Sequence, residues 1–164
     1  MAASAPGEAR TFTASDGAAL CYSVTPSATT PQVGVAVLLH GARSRRCAAS
    51  THGGMSPLTP AADARRWRTG WSGSRRYWDA VVPLLAAAGL CVVAPDLRWH
   101  GDSAAGSPAG GPCHVARLGA DLSELLAACE ETRAAQRVLL VGSSMGASVA
   151  WHAPRSRSCC PASR

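Results

Sequence analysis

The stretch VLLVGSSMGASVA, residues 138 to 150, decides the fold of this chain and raises the question of its function. It opens with an apolar run, which predicts a buried strand, and it passes through GSSMG into a helix-like segment. Gly142 and Gly146 lie two residues before and two residues after Ser144. This spacing is typical of a nucleophile elbow, a strained turn that needs small residues on both sides. We therefore predict that Ser144 is a nucleophile.

The helix predicted after Ser144 adds an electrostatic feature to this turn. A helix N-terminus carries a partial positive charge, so the backbone N–H of Met145 is placed to stabilise an oxyanion. The alternative is a glycine-rich turn that binds a phosphate or no ligand.

A second oxyanion donor is predicted at the end of another apolar run, VGVAVLL, residues 33 to 39. His40-Gly41 follows this run, and an enzyme that activates a carbonyl needs a second backbone N–H from the next residue, Ala42. We interpret His40 itself as a structural imidazole that orders the loop rather than as a catalytic base.

Buried strands alternate with helices along the chain, which predicts an α/β fold with its chemistry at the carboxyl ends of the strands. The apolar runs 33–39, 90–94 and 138–141 are typical of parallel strands covered on both faces. Asp16-Gly17 predicts a hairpin with a two-residue loop. The other predicted elements are strands over Arg10–Ala14 and Ala18–Thr25, helices over Tyr77–Ala88 and Val115–Arg133, and a helix from Met145.

The formal charge of +6 is concentrated in one segment. Eight of the sixteen basic residues lie between Arg43 and Arg76, where Asp63 is the only acidic residue, so this segment carries +7 and the remainder about −1. Because these arginines have no aromatic platform on a folded surface beside them, we expect no nucleic-acid partner.

The seven cysteines are scattered and odd in number, and they form neither CxxC pairs nor a Cys/His spacing suited to zinc. We interpret them as reduced, small apolar residues, and we expect no disulfide framework, no metal site and no cofactor. No stretch approaches the roughly 18 apolar residues of a membrane span, and the N-terminus has no apolar signal-peptide core. We expect a soluble, cytoplasmic protein, with organelle targeting by the Ala/Ser-rich start left open.

Two segments fall outside the alternation of strands and helices. Residues 42–70 are basic and rich in Pro, Gly, Ser and Ala, and residues 153–164 likewise lack a period of 2 or 3.6. We predict that residues 1–152 form one domain, interrupted at 42–70 and followed by an unstructured tail. Our hypothesis for both segments is unspliced or misassigned coding sequence. A basic lid over the active site is the alternative for the first.

Four motifs follow one another in the order known from one family. They are the HG turn, the aromatic-led helix YWDAVVPLLAAAG, the loop PDLRWHGDS and the GSSMG elbow. On these motifs the chain resembles the amino-terminal half of an α/β-hydrolase-fold protein, through the first five strands of a mostly parallel sheet with flanking helices. The resemblance implies Ser144 as nucleophile, with backbone donors at Met145 and at the residue after His40-Gly41.

The PDLRWHGDS loop, residues 95 to 103, is mostly structural in this family. The resemblance therefore implies loop-ordering roles for Asp96, Arg98, His100 and Ser103. Trp99 stands where the family usually has a glycine.

The family's catalytic triad follows the chain order Ser, then Asp or Glu, then His. No Asp or Glu follows Ser144, and His152, the only later histidine, lies about 12 Å further along the helix, which is wrong for the triad base. The sequence thus predicts a truncated hydrolase domain without its triad acid and base. If residues 42–70 are not native, Trp71 follows the HG turn and replaces Ala42 as the second oxyanion donor.

These features favour an esterase- or lipase-like serine hydrolase that transfers the acyl group of a small-molecule ester or amide to water and is inactive as the printed fragment. A serine nucleophile favours this chemistry over the family's dehalogenase and epoxide reactions, which use a carboxylate. The alternative is a non-catalytic ligand-binding or interaction protein on the same scaffold. An apolar fifth strand at a sheet edge also predicts poor solubility. Substrate and oligomeric state stay open.

Overall fold

A computed structural model describes residues 7–41, 73–108 and 114–153. The strands of the described part are β1 (Glu8–Thr13), β2 (Ala19–Thr25), β3 (Gly34–Leu39), β4 (Leu90–Pro95) and β5 (Val138–Gly142). Its α-helices are α1 (Val82–Ala87), α2 (Val115–Ala128), α3 (Glu130–Ala134) and α4 (Met145–His152), and short 3-10 helices cover Arg75–Trp78 and Gly101–Ala104. The predicted insertion at 42–70 lies outside the described residues, and so does the predicted tail 153–164 except for Ala153, which is buried.

The five strands form one mixed sheet in the order β1-β2-β4-β3-β5. β2 is antiparallel to both β1 and β4, whereas β3 is parallel to β4 and to β5. Within the described part, β2 therefore runs against the other four strands. The predicted α/β fold with a mostly parallel sheet is confirmed.

The position of β3 inside the sheet explains why its sequence is a continuous apolar run. Every residue of the strand is buried, because helices cover both faces of the sheet. Val35, Val37 and Leu39 pack in the core that includes residues of α2 and α4, while Ala36 and Leu38 pack in a second core beneath α1. Alternation along the strand thus divides its side chains between two apolar layers.

The β1–β2 hairpin differs from the prediction in the length of its loop. The N–H of Ala14 donates to the carbonyl of Ala18 at 2.8 Å, so the loop has three residues rather than two. The N–H of Gly17 donates back to the Ala14 carbonyl at 2.9 Å, and Gly17 has φ 84°. A turn followed by a left-handed glycine is the common three-residue hairpin loop, and it uses the same Asp-Gly dipeptide.

Both long helices of the prediction are interrupted. The segment predicted as Tyr77–Ala88 begins with the 3-10 helix, and α1 starts only at Val82, with Pro83 in its first turn, where a missing N–H has no cost. The segment predicted as Val115–Arg133 divides at Cys129, which has an extended backbone, φ −74° and ψ 123°. The Thr132 hydroxyl, 2.7 Å from the Leu126 carbonyl, provides a donor for that helix end.

α2 packs on the sheet through one apolar face. Leu118, Leu122 and Leu125 are buried, and Cys129 continues their row beyond the helix end. These side chains pack on β3 and β4 and hold α2 against the sheet.

β5 forms the edge of the described sheet. It pairs with β3 on one side, and its Val138 and Leu139 are 40% and 52% exposed. The edge position expected for the fifth strand is therefore present in the described part of the chain.

Candidate active site

Ser144 lies in the turn between β5 and α4, at the carboxyl end of the sheet. It is exposed and has φ 51° and ψ −116°, a backbone conformation that residues with a Cβ rarely adopt. Hydrogen bonds hold the turn: the N–H of Ser143 donates to the Leu39 carbonyl at 2.9 Å, and that of Gly146 to the Ser143 carbonyl at 2.9 Å. A strained backbone held by its surroundings is a frequent property of functional sites.

The two glycines around Ser144 are required by close backbone contacts. A Cβ on Gly142 would overlap the backbone nitrogen of Ala147, and a Cβ on Gly146 would overlap the carbonyl oxygen of Leu39. Both contacts are to backbone atoms, which a side-chain rotation cannot relieve. The turn that connects β5 to α4 therefore permits only glycine at these two positions.

Met145 is the first residue of α4, so its N–H lies at the positive end of the helix dipole. The hydrogen bonds that close the turn use the N–H groups of Ser143, Gly146 and Ala147. The N–H of Met145, beside Ser144, is thus the group that α4 can offer to an anion at this position.

The HG turn at the end of β3 lies next to Ser144. A Cβ on Gly41 would be 3.2 Å from the Ser143 carbonyl oxygen and 3.3 Å from the Cβ of Ser144. Gly41 therefore allows the carboxyl ends of β3 and β5 to approach each other. Ala42 and Trp71, the alternative positions for the second oxyanion donor, lie outside the described residues, and their role stays a prediction.

The His40 side chain is fully buried and hydrogen-bonded at both ring nitrogens. Its Nε2 accepts the backbone N–H of Leu97 at 3.0 Å, and its Nδ1 lies 2.8 Å from the carbonyl oxygen of Gly41. Burial lowers its pKa to about 4. His40 is thus neutral near pH 7, and its contacts agree with the predicted structural role.

Asp96 organises the loop after β4. Its carboxylate accepts the N–H groups of Arg75 at 2.6 Å and of Asp102 at 2.9 Å, and it pairs with the Arg75 guanidinium. Ser103 donates its hydroxyl to the Asp96 carbonyl at 2.7 Å and accepts the N–H of Cys21 at 2.8 Å. These two residues tie the loop to β2 and to the segment before α1, as expected of loop-ordering residues.

Arg98 forms a buried ion-pair network that the sequence alone does not predict. Its guanidinium is fully buried and donates to both carboxylate oxygens of Asp121 in α2, at 2.8 and 2.7 Å. It also pairs with Asp16 in the β1–β2 hairpin, and this hydrogen bond lowers the pKa of Asp16 to about 2. The sequence contains one signal of this network: Asp121 is a carboxylate on the apolar face of α2, and a buried carboxylate requires a charged partner.

Trp99 adopts φ 68°, a left-handed conformation that favours glycine. Its N–H donates to the Ser107 hydroxyl at 3.0 Å, which in turn donates to the Ser103 carbonyl at 2.7 Å. The tryptophan therefore takes the backbone conformation that a glycine would adopt at this position, at the cost of steric strain.

His100 is 6% exposed and packs beside His40, with the ring centroids 5.2 Å apart. Its Nδ1 donates to the Arg98 carbonyl at 2.7 Å, and burial lowers its pKa. Its burial and its hydrogen bond, like those of His40, indicate a structural role in the loop. His152, the last residue of α4, is exposed, and its Nδ1 bonds to the Ser148 carbonyl at 2.8 Å.

The described structure brings Ser144, Met145 and the HG turn together at the ends of β3 and β5. Within residues 7–41, 73–108 and 114–153, no group of three or more His, Cys, Asp or Glu side chains could hold a metal ion. In the same ranges, no helix has the length and apolarity that crossing a membrane requires.

A model of the alpha/beta hydrolase family matches residues 36–163 of the sequence, and this match confirms the resemblance inferred from the motifs. No curated protein matches the sequence significantly.

Solved structures with a similar fold include two epoxide hydrolases and an esterase. Epoxide hydrolase A from Mycobacterium thermoresistibile is 23% identical, with a TM-score of 0.57, over 90% of this chain and 34% of its own. An epoxide hydrolase from Vigna radiata is 20% identical, with a TM-score of 0.59, over 90% and 35%. An esterase from Pyrococcus furiosus is 20% identical, with a TM-score of 0.55, over 88% and 44%. The chain thus spans about a third of the length of the first two, and the likeness shows the fold alone.

Proposed function

The chain belongs to the alpha/beta hydrolase family, and on that premise we propose that it is an esterase- or lipase-like serine hydrolase with Ser144 as its nucleophile. The observation that carries the proposal is the conformation of Ser144, an exposed serine with φ 51° and ψ −116° directly before α4. Backbone strain at a solvent-exposed hydroxyl has no use in packing, whereas a nucleophile must be presented to a substrate.

In the proposed reaction, the Oγ of Ser144 attacks the carbonyl carbon of an ester or amide, and its proton passes to a base. The N–H of Met145 and a second donor after Gly41 stabilise the negative oxygen of the tetrahedral intermediate. This intermediate collapses to an acyl-enzyme with release of the alcohol or amine. Water then cleaves the acyl-enzyme and restores the serine.

The proton acceptor is the part of this reaction that the printed residues do not supply. The sequence contains no Asp or Glu after Ser144, and His152 bonds to Ser148 within its own helix. We therefore propose acyl transfer for an active site that contains an additional acid and histidine. In the 164 residues alone, the Ser144 proton can pass only to solvent, so we expect slow labelling by serine-reactive probes and no turnover of esters.

The identity of the nucleophile supports ester or amide chemistry over epoxide opening. Of the three similar structures described above, two are named epoxide hydrolases and one is named an esterase. Epoxide opening in this family uses a carboxylate nucleophile, and the corresponding position of this chain holds Ser144.

A fluorophosphonate probe tests the proposal directly. The 164-residue chain is incubated with the probe, and labelling is followed by mass spectrometry for the wild type, for Ser144→Ala and for Ser143→Ala as the neighbouring control. We expect labelling of the wild type and of S143A, and none of S144A. A chain that is folded by circular dichroism but takes up no label would contradict the proposal and favour the ligand-binding alternative.

A further inference from the structure

His40 and His100 form a pair of buried imidazoles at the carboxyl ends of β3 and β4. His40 follows β3 directly, His100 belongs to the loop after β4, and their ring centroids are 5.2 Å apart. The two side chains are 0% and 6% exposed. At this distance, a charge on one ring disfavours a charge on the other, so the two histidines take up protons as a coupled pair.

The neutral form of His40 closes a contact between β3 and the loop after β4. Its Nδ1 lies 2.8 Å from the Gly41 carbonyl oxygen, and its Nε2 accepts the N–H of Leu97 at 3.0 Å. A protonated imidazole carries a hydrogen on both nitrogens, so Nε2 can then no longer accept from Leu97. Because Leu97 is buried, its N–H would lose its partner away from water. A proton on His40 therefore opens this contact.

His100 differs from His40 because it can take up a proton without losing a hydrogen bond. Its Nδ1 donates to the Arg98 carbonyl at 2.7 Å, so the neutral ring has no hydrogen on Nε2. Within the described part of the chain, this buried Nε2 has no hydrogen-bond partner. A proton added there leaves the bond to Arg98 intact. Of the two histidines, His100 is thus the one at which a proton disturbs fewer contacts.

The charged side chains around the two rings favour one added proton over two. Burial lowers the pKa of both histidines, and the negative charge of Asp96 opposes this effect at both. Arg75, in the segment before α1, pairs with Asp96 and Asp102, while the Arg98 guanidinium binds its own carboxylate partners. β3 and the turn before α4, both within the described residues, carry no ionisable side chain. One carboxylate, shared with an arginine, therefore serves both rings.

We propose that His40 and His100 form an acid-operated latch between β3 and the loop after β4, closed by the hydrogen bond from Leu97 to His40. The first proton enters at Nε2 of His100 and leaves the latch closed. The second proton, on His40, breaks the bond to Leu97 and frees the loop from β3. The latch lies at the carboxyl ends of the strands, the same edge of the sheet that carries Ser144. It needs no catalytic activity and does not depend on the proposed function.

An NMR titration of the histidine rings of the 164-residue chain, from pH 7 downward, tests the order of protonation. We expect His100 to titrate below pH 6.5 and before His40, whose pKa is about 4. In His100→Asn, which keeps an amide donor for the Arg98 carbonyl, the midpoint of His40 should rise by about half a pH unit or more, since the neighbouring charge is absent. His152→Asn removes an exposed imidazole at the end of α4 and should leave that midpoint unchanged.

Two results of this titration would contradict the latch. One is that His40 takes up its proton before His100. The other is that H100N shifts the His40 midpoint no more than H152N does, because the two rings would then titrate independently.

Hydrogen exchange at two neighbouring amides separates opening of the latch from general unfolding. The N–H of Leu97 bonds to His40, whereas the N–H of Asp96 bonds to the Cys21 carbonyl of β2 at 2.9 Å. We expect the protection of the Leu97 amide to fall by roughly tenfold per pH unit below the His40 midpoint, in step with the fraction of neutral His40, while Asp96 keeps its protection. In H100N the fall should begin at a higher pH.

Simultaneous loss of protection at Leu97 and Asp96, or protection of Leu97 that does not change with pH, would overturn the inference. The wild type alone supplies both this comparison and the order of protonation, so the two readouts stay decisive if H100N fails to fold.

Discussion

The guanidinium of Arg98 forms two hydrogen bonds with the carboxylate of Asp121, at 2.8 and 2.7 Å, and both side chains are buried. Arg98 belongs to the loop that follows β4, and Asp121 lies in the middle of α2. The pair therefore connects the loop beneath the candidate site to the helix that covers the sheet. Removing one charge would leave the other buried without its main partner.

We predict that Asp121→Asn lowers the free energy of unfolding by about 3 kcal/mol, because it leaves the fully buried Arg98 guanidinium with only the partly exposed Asp16 as its counter-ion. Denaturant unfolding monitored by circular dichroism measures this change. The control is Asp102→Asn: Asp102 pairs with Arg75, but its side chain is 62% exposed. A change below about 1 kcal/mol is expected there, since solvent screens exposed pairs. Equal effects in the two variants would contradict the prediction.

The turn around Ser144 allows a second prediction. In Gly146→Ala, the added methyl group would overlap the carbonyl oxygen of Leu39, a backbone atom of the interior strand β3. We expect a loss of about 3 kcal/mol in stability from overpacking, together with loss of probe labelling at Ser144. Ser148→Ala, at an exposed position of the same helix, serves as the control and should preserve both. Unchanged labelling of G146A would show that the tight turn is not needed to present the serine.

Trp99 provides a test of backbone strain. It has φ 68°, which costs a residue with a Cβ roughly 1 kcal/mol or more relative to glycine. Trp99→Ala and Trp99→Gly both lack the indole, so the difference in stability between them measures only the backbone preference at this position. We expect the glycine variant to be more stable than the alanine variant by about 1 kcal/mol in denaturant unfolding. An alanine variant of equal or greater stability would argue against the left-handed conformation.

Much of the fold could be predicted because its strands have a simple sequence pattern. β3, β4 and β5 are short apolar runs, and the rows of leucines in α2 repeat with the period of a helix. The boundaries were less predictable. The apolar row of α2 continues through Cys129, so hydrophobic periodicity does not reveal that the helix ends there. Asp16-Gly17 is compatible with two- and three-residue loops, and the pairing of Ala14 with Ala18 selects the longer one.

The position of Ser144 could be predicted from local sequence, because the elbow is defined by five consecutive residues. The contacts that support the site could not. Arg98 is 82 positions from Asp16 and 23 from Asp121, and His40 is 57 positions from Leu97. Such partners are brought together only by the sheet order, which a single sequence does not specify.

The burial of His40 makes stability dependent on pH. Burial lowers its pKa in the folded state to about 4, from 6.5 in the unfolded chain. Between these values the unfolded state binds more protons, so stability is fully present above pH 6.5 and falls as the pH decreases toward 4, by roughly 3 kcal/mol in total. Denaturant unfolding at pH 7, 5.5 and 4.5 measures this slope.

His40→Asn provides the control for the pH experiment, because it removes the titrating group and should flatten the slope. His100, whose pKa is also lowered by burial, leaves a smaller residual dependence in that variant. Asp16 acts at lower pH: its pKa is lowered to about 2, so its contribution is present above pH 3.8 and is lost as the pH falls toward 2. An identical slope in the wild type and in H40N would contradict the assignment to His40.

The edge strand β5 leads to the last prediction. Within the described part of the chain, one side of β5 pairs with β3, and Leu139 on this strand is 52% exposed. Unpaired backbone groups beside an exposed apolar side chain favour association between sheet edges, and a charge placed there opposes it. We therefore expect Leu139→Lys to reduce self-association of the 164-residue chain, measured by light scattering as a function of concentration. Leu84→Lys is the matched control, since Leu84 is 69% exposed on α1, away from any strand edge. If both variants reduced scattering equally, exposed apolar area rather than strand pairing would drive the association.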